Sequence, residues 1–234
     1  LHTFSNFSLE ISSEGRYLFL IKEGMEMSQI IVAQNANGIV LAGENRAIQL
    51  DEKGNEISLQ MNRLLPLTSH CALIIVGAAE GRDMGNVLRS FLVGEKLNDV
   101  QDIYGAALAY LSTEYEQFMR KKCEMLPIDP IHQVSFVLAG RTERDPRMAY
   151  RLYFLWTKKR LPHLDGDEIS HAFSVPRRMG LEFQLNRMCE ESVPLKEILK
   201  KMTDGMEQLK SKGEVSGPFS FATITQEGFQ SLNP

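Results

Sequence analysis

Ser28-Gln-Ile-Ile-Val-Ala-Gln-Asn-Ala-Asn-Gly-Ile-Val-Leu-Ala-Gly-Glu-Asn-Arg46 is the stretch on which the reading of this chain turns. Two apolar runs, Ile30-Ile-Val32 and Ile39-Val-Leu41, flank Gln34-Asn-Ala-Asn-Gly38. An Asn-Gly pair at a short apolar break is a strong turn signal because both residues tolerate positive φ. The stretch therefore predicts a β-hairpin. Upstream, Phe7-Ser-Leu-Glu-Ile11 and Tyr17-Leu-Phe-Leu-Ile21 stand on either side of Ser12-Ser-Glu-Gly15 and predict another. The expected organisation is an N-terminal extension over residues 1–27, hairpin-like, followed by a domain over 28–234.

Downstream, residues 64–67 and the continuous apolar run Ala72-Leu-Ile-Ile-Val76 predict strands, the second covered on both faces. The period then changes. Met84, Val87, Leu88, Phe91 and Leu92 recur at helical spacing, as do Ile103, Ala107, Leu111, Tyr115 and Phe118. Prolines in Met125-Leu-Pro-Ile-Asp-Pro-Ile131 end the second helix. Alternation at Val134, Phe136 and Leu138, and at Leu152, Phe154 and Trp156, predicts two more strands joined by the charged residues 141–147. Beyond Pro176, one helix is expected to contain Met179, Phe183, Leu185 and Met188. Another starts near Pro194 with Leu195, Ile198, Met202, Met206 and Leu209 on one face, and residues 219–224 form a last strand. Strands, two helices, strands, two helices, strand is the order of an α+β fold in which two sheets pack together with a helix pair on each outer side.

Composition narrows the function classes. The chain has 234 residues, 43% hydrophobic and 24% charged, and a formal net charge of -4. A slightly acidic chain has no global attraction for phosphate backbones, so nucleic acid is not an expected partner. The longest apolar run, residues 71–79, is far below the roughly 20 residues that span a bilayer, and no membrane association is expected. Leu1-His-Thr-Phe4 lacks a basic n-region before an apolar run, so no signal peptide is read and the expected location is cytoplasmic. Cys71, Cys123 and Cys189 are far apart without CxxC spacing, which predicts neither a disulfide framework nor a zinc site, and no cofactor is expected.

The order of elements, together with the local sequence, resembles proteasome-family subunits of the β type and, through them, the N-terminal-nucleophile hydrolases. The opening hairpin is similar to the family's pattern of a nucleophilic residue, an apolar strand, a Gly-led turn, a second apolar strand, an acid and an arginine. Aligned on Gly38, Ser28 falls at the nucleophile and Glu44, 16 residues later, at the family's acid. Arg63-Leu-Leu-Pro-Leu67 and Ala72-Leu-Ile-Ile-Val-Gly77 resemble the lysine-led strand and the strand after it, with Arg63 at the lysine and Gly77 at the oxyanion-hole glycine. Ser216-Gly217, residues 219–224 and Glu227-Gly-Phe229 resemble the family's closing serine-glycine, strand and tail. The resemblance implies the four-layer αββα sandwich of the proteasome and N-terminal-nucleophile type, a ring-forming homo-oligomer, and peptide substrates.

In that scheme an N-terminal hydroxyl attacks while its own α-amine, of pKa about 8, takes the proton. The roles implied are Ser28 as nucleophile, Glu44 as orienting acid, Arg63 as cation, Gly77 as oxyanion donor and Ser216 as support. The chain departs from the pattern at several points. Serine replaces threonine, glutamate replaces aspartate, and arginine, which cannot exchange a proton near neutrality, replaces lysine. Gly213 stands at a further family aspartate. Residues 1–27 precede Ser28, so the amine requires cleavage after Met27 or translation from it, and Ser13-Glu-Gly-Arg-Tyr-Leu-Phe19 resembles the opening of non-catalytic α-type subunits. Three readings stay open: a peptidase, a catalytically silent scaffold in which Glu44 and Arg63 form a structural ion pair, and a small-substrate amidase.

Other motifs read as structure. His163-Leu-Asp-Gly-Asp-Glu168 lacks calcium-hand spacing and reads as a solvated acidic turn. Adjacent His70 and Cys71 diverge on a strand and do not make a nucleophile pair. The methionines of the last helices follow helical spacing and read as core.

Overall fold

In the computed structural model the described residues are 28–50, 56–123, 133–157 and 163–232. The expected hairpin within 1–27 and the proline break at 125–131 lie outside them. The described chain forms four α-helices and three antiparallel sheets, an α+β arrangement.

The first sheet contains β1 (Ile30–Asn35), β2 (Gly38–Glu44), β10 (Ala172–Val175), β11 (Phe219–Thr225) and β12 (Gly228–Leu232) in the order β10-β1-β2-β11-β12. The second contains β5 (Leu64–Pro66), β6 (Cys71–Gly77), β7 (Val134–Arg141), β8 (Tyr150–Trp156) and β9 (Asp165–Ile169) in sequence order. Between them in the chain, β3 (Arg46–Leu50) and β4 (Glu56–Gln60) form a two-stranded ribbon. Helices α1 (Gly81–Glu95) and α2 (Val100–Cys123) connect β6 to β7, and α3 (Met179–Glu190) and α4 (Leu195–Ser211) connect β10 to β11.

Strand alternation places the core. On β1, Ile30 and Val32 join Ile39, Leu41, Ile74, Val76, Val137 and Leu152 in a cluster drawn from both large sheets. Ile31 and Ala33 point the other way, onto Leu185, Ile198, Met202 and Met206 of α3 and α4. On β6 the same division sends Leu73 and Ile75 to Leu88, Leu92, Ile103 and Leu111 of α1 and α2. The unbroken apolar runs in β1, β2 and β6 thus belong to strands covered on both faces, while the helices carry one apolar stripe each. The helix ends have local causes. An Asp99 carboxylate oxygen accepts the Gln101 N–H at 2.9 Å at the start of α2, and Lys96, in the left-handed region at φ 56°, closes α1 by returning its N–H to Leu92 and Val93.

The structure differs from the sequence reading at three places. The β1–β2 turn is Ala36-Asn37, with Asn35 paired to Gly38 and its side-chain oxygen accepting the Asn37 N–H at 2.8 Å. Asn37 does not take positive φ; Gly38 does, at 147°, where a Cβ would lie 2.6 Å from the Ile224 carbonyl oxygen. The glycine therefore serves the close approach of β11. The acidic stretch at 165–168 is not a turn but edge strand β9, paired with β8 and held by Trp156 Nε1 donating to Asp167 at 2.8 Å. Ribbon β3–β4 and strand β12 were not expected from the sequence. Among the described residues no helix is long and apolar enough to cross a membrane.

Candidate active site

Ser28 stands two residues before the first residue of β1, Glu44 ends β2, Arg63 immediately precedes β5, Gly77 ends β6, and Ser216 lies in the loop between α4 and β11. The fold brings all five to one end of the two large sheets. Arg63 is their centre. It is 1% exposed, and each of its five guanidinium hydrogens has an acceptor. Nε donates to the Glu44 carbonyl at 2.9 Å; Nη1 donates to the carbonyls of Ile75 at 3.0 Å and Gly77 at 3.2 Å. Nη2 donates to Ser28 Oγ at 2.5 Å and to the Arg46 carbonyl at 2.6 Å. The Ser28 hydroxyl in turn donates to the same Arg46 carbonyl.

Burial pushes the Arg63 guanidinium down to about 10, with the Glu44 charge working in the opposite direction. At that value it stays protonated at neutral pH. The site therefore holds a fixed positive charge beside the Ser28 oxygen and no proton shuttle at Arg63.

Glu44, 2% exposed, takes a different part from the expected one. Its carboxylate makes neither a hydrogen bond nor an ion pair with Arg63; only its carbonyl does. One carboxylate oxygen accepts the Gln29 N–H at 3.3 Å, and the other accepts the Ser216 N–H at 2.8 Å and Ser216 Oγ at 3.1 Å. Glu44 thereby fixes the peptide unit that follows Ser28 and ties it to the closing loop. Gly77 has φ 91°, and a Cβ there would meet the Gln133 carbonyl oxygen at 2.0 Å, so the end of β6 admits only glycine.

Sequence reasoning missed a buried polar group on the helix side of the same sheet. Gln29 is fully buried; Nε2 donates to the carbonyls of Ile30 at 2.9 Å and Pro176 at 3.1 Å, and Oε1 accepts from Arg178 Nε at 2.8 Å. Arg178 also pairs with Glu214. The signal was present: Gln29 is a polar residue at the helix-facing phase of an otherwise apolar strand. Beside it Glu182, 2% exposed, accepts from Ser174 Oγ at 2.6 Å, from Arg177 Nη2 at 2.5 Å and from the Arg178 N–H at 3.1 Å. Burial alone would raise its carboxyl, but the bonds from Arg177, Ser174 and Arg178 and the Arg177 charge together hold it below its ordinary range.

A carboxyl depressed in the folded state stabilises the fold above its unfolded pKa, and that contribution is lost as pH falls through the folded value. Glu182→Gln is expected to cost about 2 kcal/mol at pH 7, a magnitude typical of hydrogen bonds to a charged group. It should also flatten the acid limb of stability below about pH 4.5, the ordinary glutamate range. Urea midpoints across pH check this, and equal acid slopes for both proteins would remove Glu182 from the account.

Two buried thiols, Cys71 and Cys189, are held in the unreactive protonated form. Burial pushes Cys71 up to about 12 and Cys189 up to about 11. His70 turns away from Cys71 to Ser69 Oγ at 2.9 Å and the Gln226 carbonyl at 3.1 Å. Among the described residues no group of three or more His, Cys, Asp or Glu side chains is placed to hold a metal ion. Compared with protein-family models the chain matches none, and no curated protein matches it.

Proposed function

We propose that the chain is a β-type proteasome-like subunit with the four-layer αββα sandwich of N-terminal-nucleophile hydrolases, a cytoplasmic ring-former that cleaves peptide bonds through Ser28. The observation carrying this reading is the convergence of Ser28 Oγ, the Arg63 guanidinium and the end of β6 at Gly77, with a 2.5 Å hydrogen bond from Arg63 to Ser28. The stacking of helix pair, sheet, sheet and helix pair implied by the three core clusters supports the fold part of the proposal.

The chemistry requires scission after Met27. The freed α-amine of Ser28 then accepts the Oγ proton as the oxygen attacks a substrate carbonyl. The tetrahedral oxyanion would be met by the Gly77 N–H, and the amine returns its proton to the leaving nitrogen. Water, deprotonated by the same amine, then attacks the acyl ester, and the amine passes that proton to the departing Ser28 Oγ as the acid leaves. Arg63 holds positive charge beside the oxygen throughout, without changing its protonation.

A second reading has its own support. The Ser28 hydroxyl donates to a backbone carbonyl, as a purely structural serine would, which suits a catalytically silent scaffold. Intact mass and N-terminal sequencing of the natural protein, followed by assay on peptide and acyl-amide panels, separate the readings. Exposed Ser28 with peptide cleavage is the expected result. Retention of residues 1–27 in every molecule removes the mechanism and leaves the scaffold; cleavage of small acyl-amides alone replaces the peptidase with an amidase.

A further inference from the structure

Once the chain is cut after Met27, Ser28 is its terminal residue, and a terminal residue keeps only the constraints that its neighbour passes on. That neighbour, Gln29, is pinned through backbone and side chain together. Its N–H donates to one Glu44 carboxylate oxygen at 3.3 Å, and its carbonyl accepts the Glu44 N–H at 2.8 Å. Its side chain lies toward the helix layer, where Nε2 reaches the Pro176 carbonyl at 3.1 Å and Oε1 accepts from Arg178 Nε at 2.8 Å. An apolar side chain would fill that fully buried place without needing partners, as Ile31 and Ala33 do further along the same face.

Arg178 carries the constraint onward. Its own N–H is held by Ser174 Oγ at 2.8 Å and by Glu182 at 3.1 Å, and its Nη1 donates to the Glu214 carboxylate. Glu214 is seated on the end of α4, where its N–H returns to the Leu209 carbonyl at 3.0 Å, and Val215 beside it is buried in the core under α3 and α4. Ser216 follows, with its N–H and Oγ on the second Glu44 oxygen. The contacts close a ring: Gln29 to Arg178, Arg178 to Glu214, along the chain to Ser216, Ser216 to Glu44, and Glu44 back to Gln29. As an isolated surface pair, Arg178 and Glu214, with side chains 29% and 36% exposed, would contribute little. Their leverage comes from the closed network, in which each bond holds the partners of the next.

We infer that Arg178 is a positioning residue for Ser28: by joining Gln29 to Glu214 it closes this ring and fixes the residue on which the nucleophile is mounted. The consequence for turnover rests on the Ser28 reading; the ring does not. A nucleophile that leaves its line of attack loses rate without loss of substrate binding, so the effect falls on kcat.

The experiment measures residue-resolved amide hydrogen exchange in the full natural chain and in Arg178→Ala, Arg178→Lys, Glu214→Ala and the Arg178→Ala, Glu214→Ala double variant. Expected is exchange about tenfold faster at Gln29 and Ser216 in both alanine variants, although both amides donate to Glu44 and neither touches Arg178, with the amides of β6 and β7 unchanged. The double variant should exchange no faster than Arg178→Ala, because both changes break one ring. Turnover of an N-acetylated tetrapeptide anilide should show kcat about tenfold lower in Arg178→Ala at unchanged KM. Arg178→Lys, which keeps the charge for Glu214 but loses the fork that spans two partners, should fall between. Unchanged exchange at Gln29 and Ser216 in Arg178→Ala overturns the ring, and additive acceleration in the double variant overturns its closure. Faster exchange with kcat undiminished overturns the positioning role. Faster exchange where the parent itself cleaves no peptide upholds the ring and removes the peptidase instead.

Discussion

Arg63→Ala is expected to lower stability by about 3–5 kcal/mol, the scale of a buried charged group removed from its partners and a large part of a typical domain's total. The cause is the number of groups one side chain satisfies. Truncation withdraws the Arg63 donor from the carbonyls of Glu44, Arg46, Ile75 and Gly77 and from the Ser28 hydroxyl, and it removes the volume of a side chain 1% exposed. Arg63→Lys keeps the charge but has three donors for five acceptors, so an intermediate loss is expected. Urea unfolding of the three proteins measures this. A midpoint for Arg63→Ala equal to the parent's would sink the assignment of Arg63 as the structural centre of the site.

The other large effect concerns turnover. In protein whose chain begins at Ser28, Ser28→Ala is expected to reduce peptide cleavage by at least about 10³-fold, because alanine keeps the α-amine but has no oxygen to attack with. The fold should survive with a lower thermal midpoint, by about 1–3 kcal/mol of stability, since alanine leaves one hydrogen of the buried Arg63 guanidinium without its acceptor. Ser28→Thr retains hydroxyl and amine and should retain most of the rate. Cleavage should rise with pH through roughly 7 to 8 as an α-amine of ordinary pKa loses its proton. Undiminished turnover in Ser28→Ala would place the nucleophile elsewhere.

The elements legible in the sequence were those with a covered face. Ile30-Ile-Val32, Ile39-Val-Leu41 and Ala72-Leu-Ile-Ile-Val76 form β1, β2 and β6 where expected, and the spacing of Met84, Leu88 and Leu92 and of Ile198, Met202 and Met206 marks α1 and α4. The elements missed lack that signature. Strand β9 is a sheet edge built from Asp165-Gly-Asp-Glu-Ile169, whose ordering comes from Trp156 and Arg151 on its neighbour. No described side chain of ribbon β3–β4 belongs to any of the three core clusters.

At the site, Arg63 bonds both Ser28 Oγ and the Gly77 carbonyl, while the Glu44 carboxylate turns to Gln29 and Ser216. The partners themselves were illegible. Four of the five bonds made by Arg63 go to backbone carbonyls, and two of the three bonds received by the Glu44 carboxylate come from backbone N–H groups. Every residue type supplies those groups, so no side-chain pattern announces them.

The acceptors of Arg63 come from separate pieces of the chain. Glu44 closes a strand of the first sheet, Arg46 opens the small ribbon, and Ile75 and Gly77 belong to the second sheet. One guanidinium is therefore a suture across the seam between two layers that must each form before it can be tied. Neither sheet alone carries both the Ser28 hydroxyl and the β6 glycine, so the arrangement on which the proposed mechanism depends exists only in the completed fold.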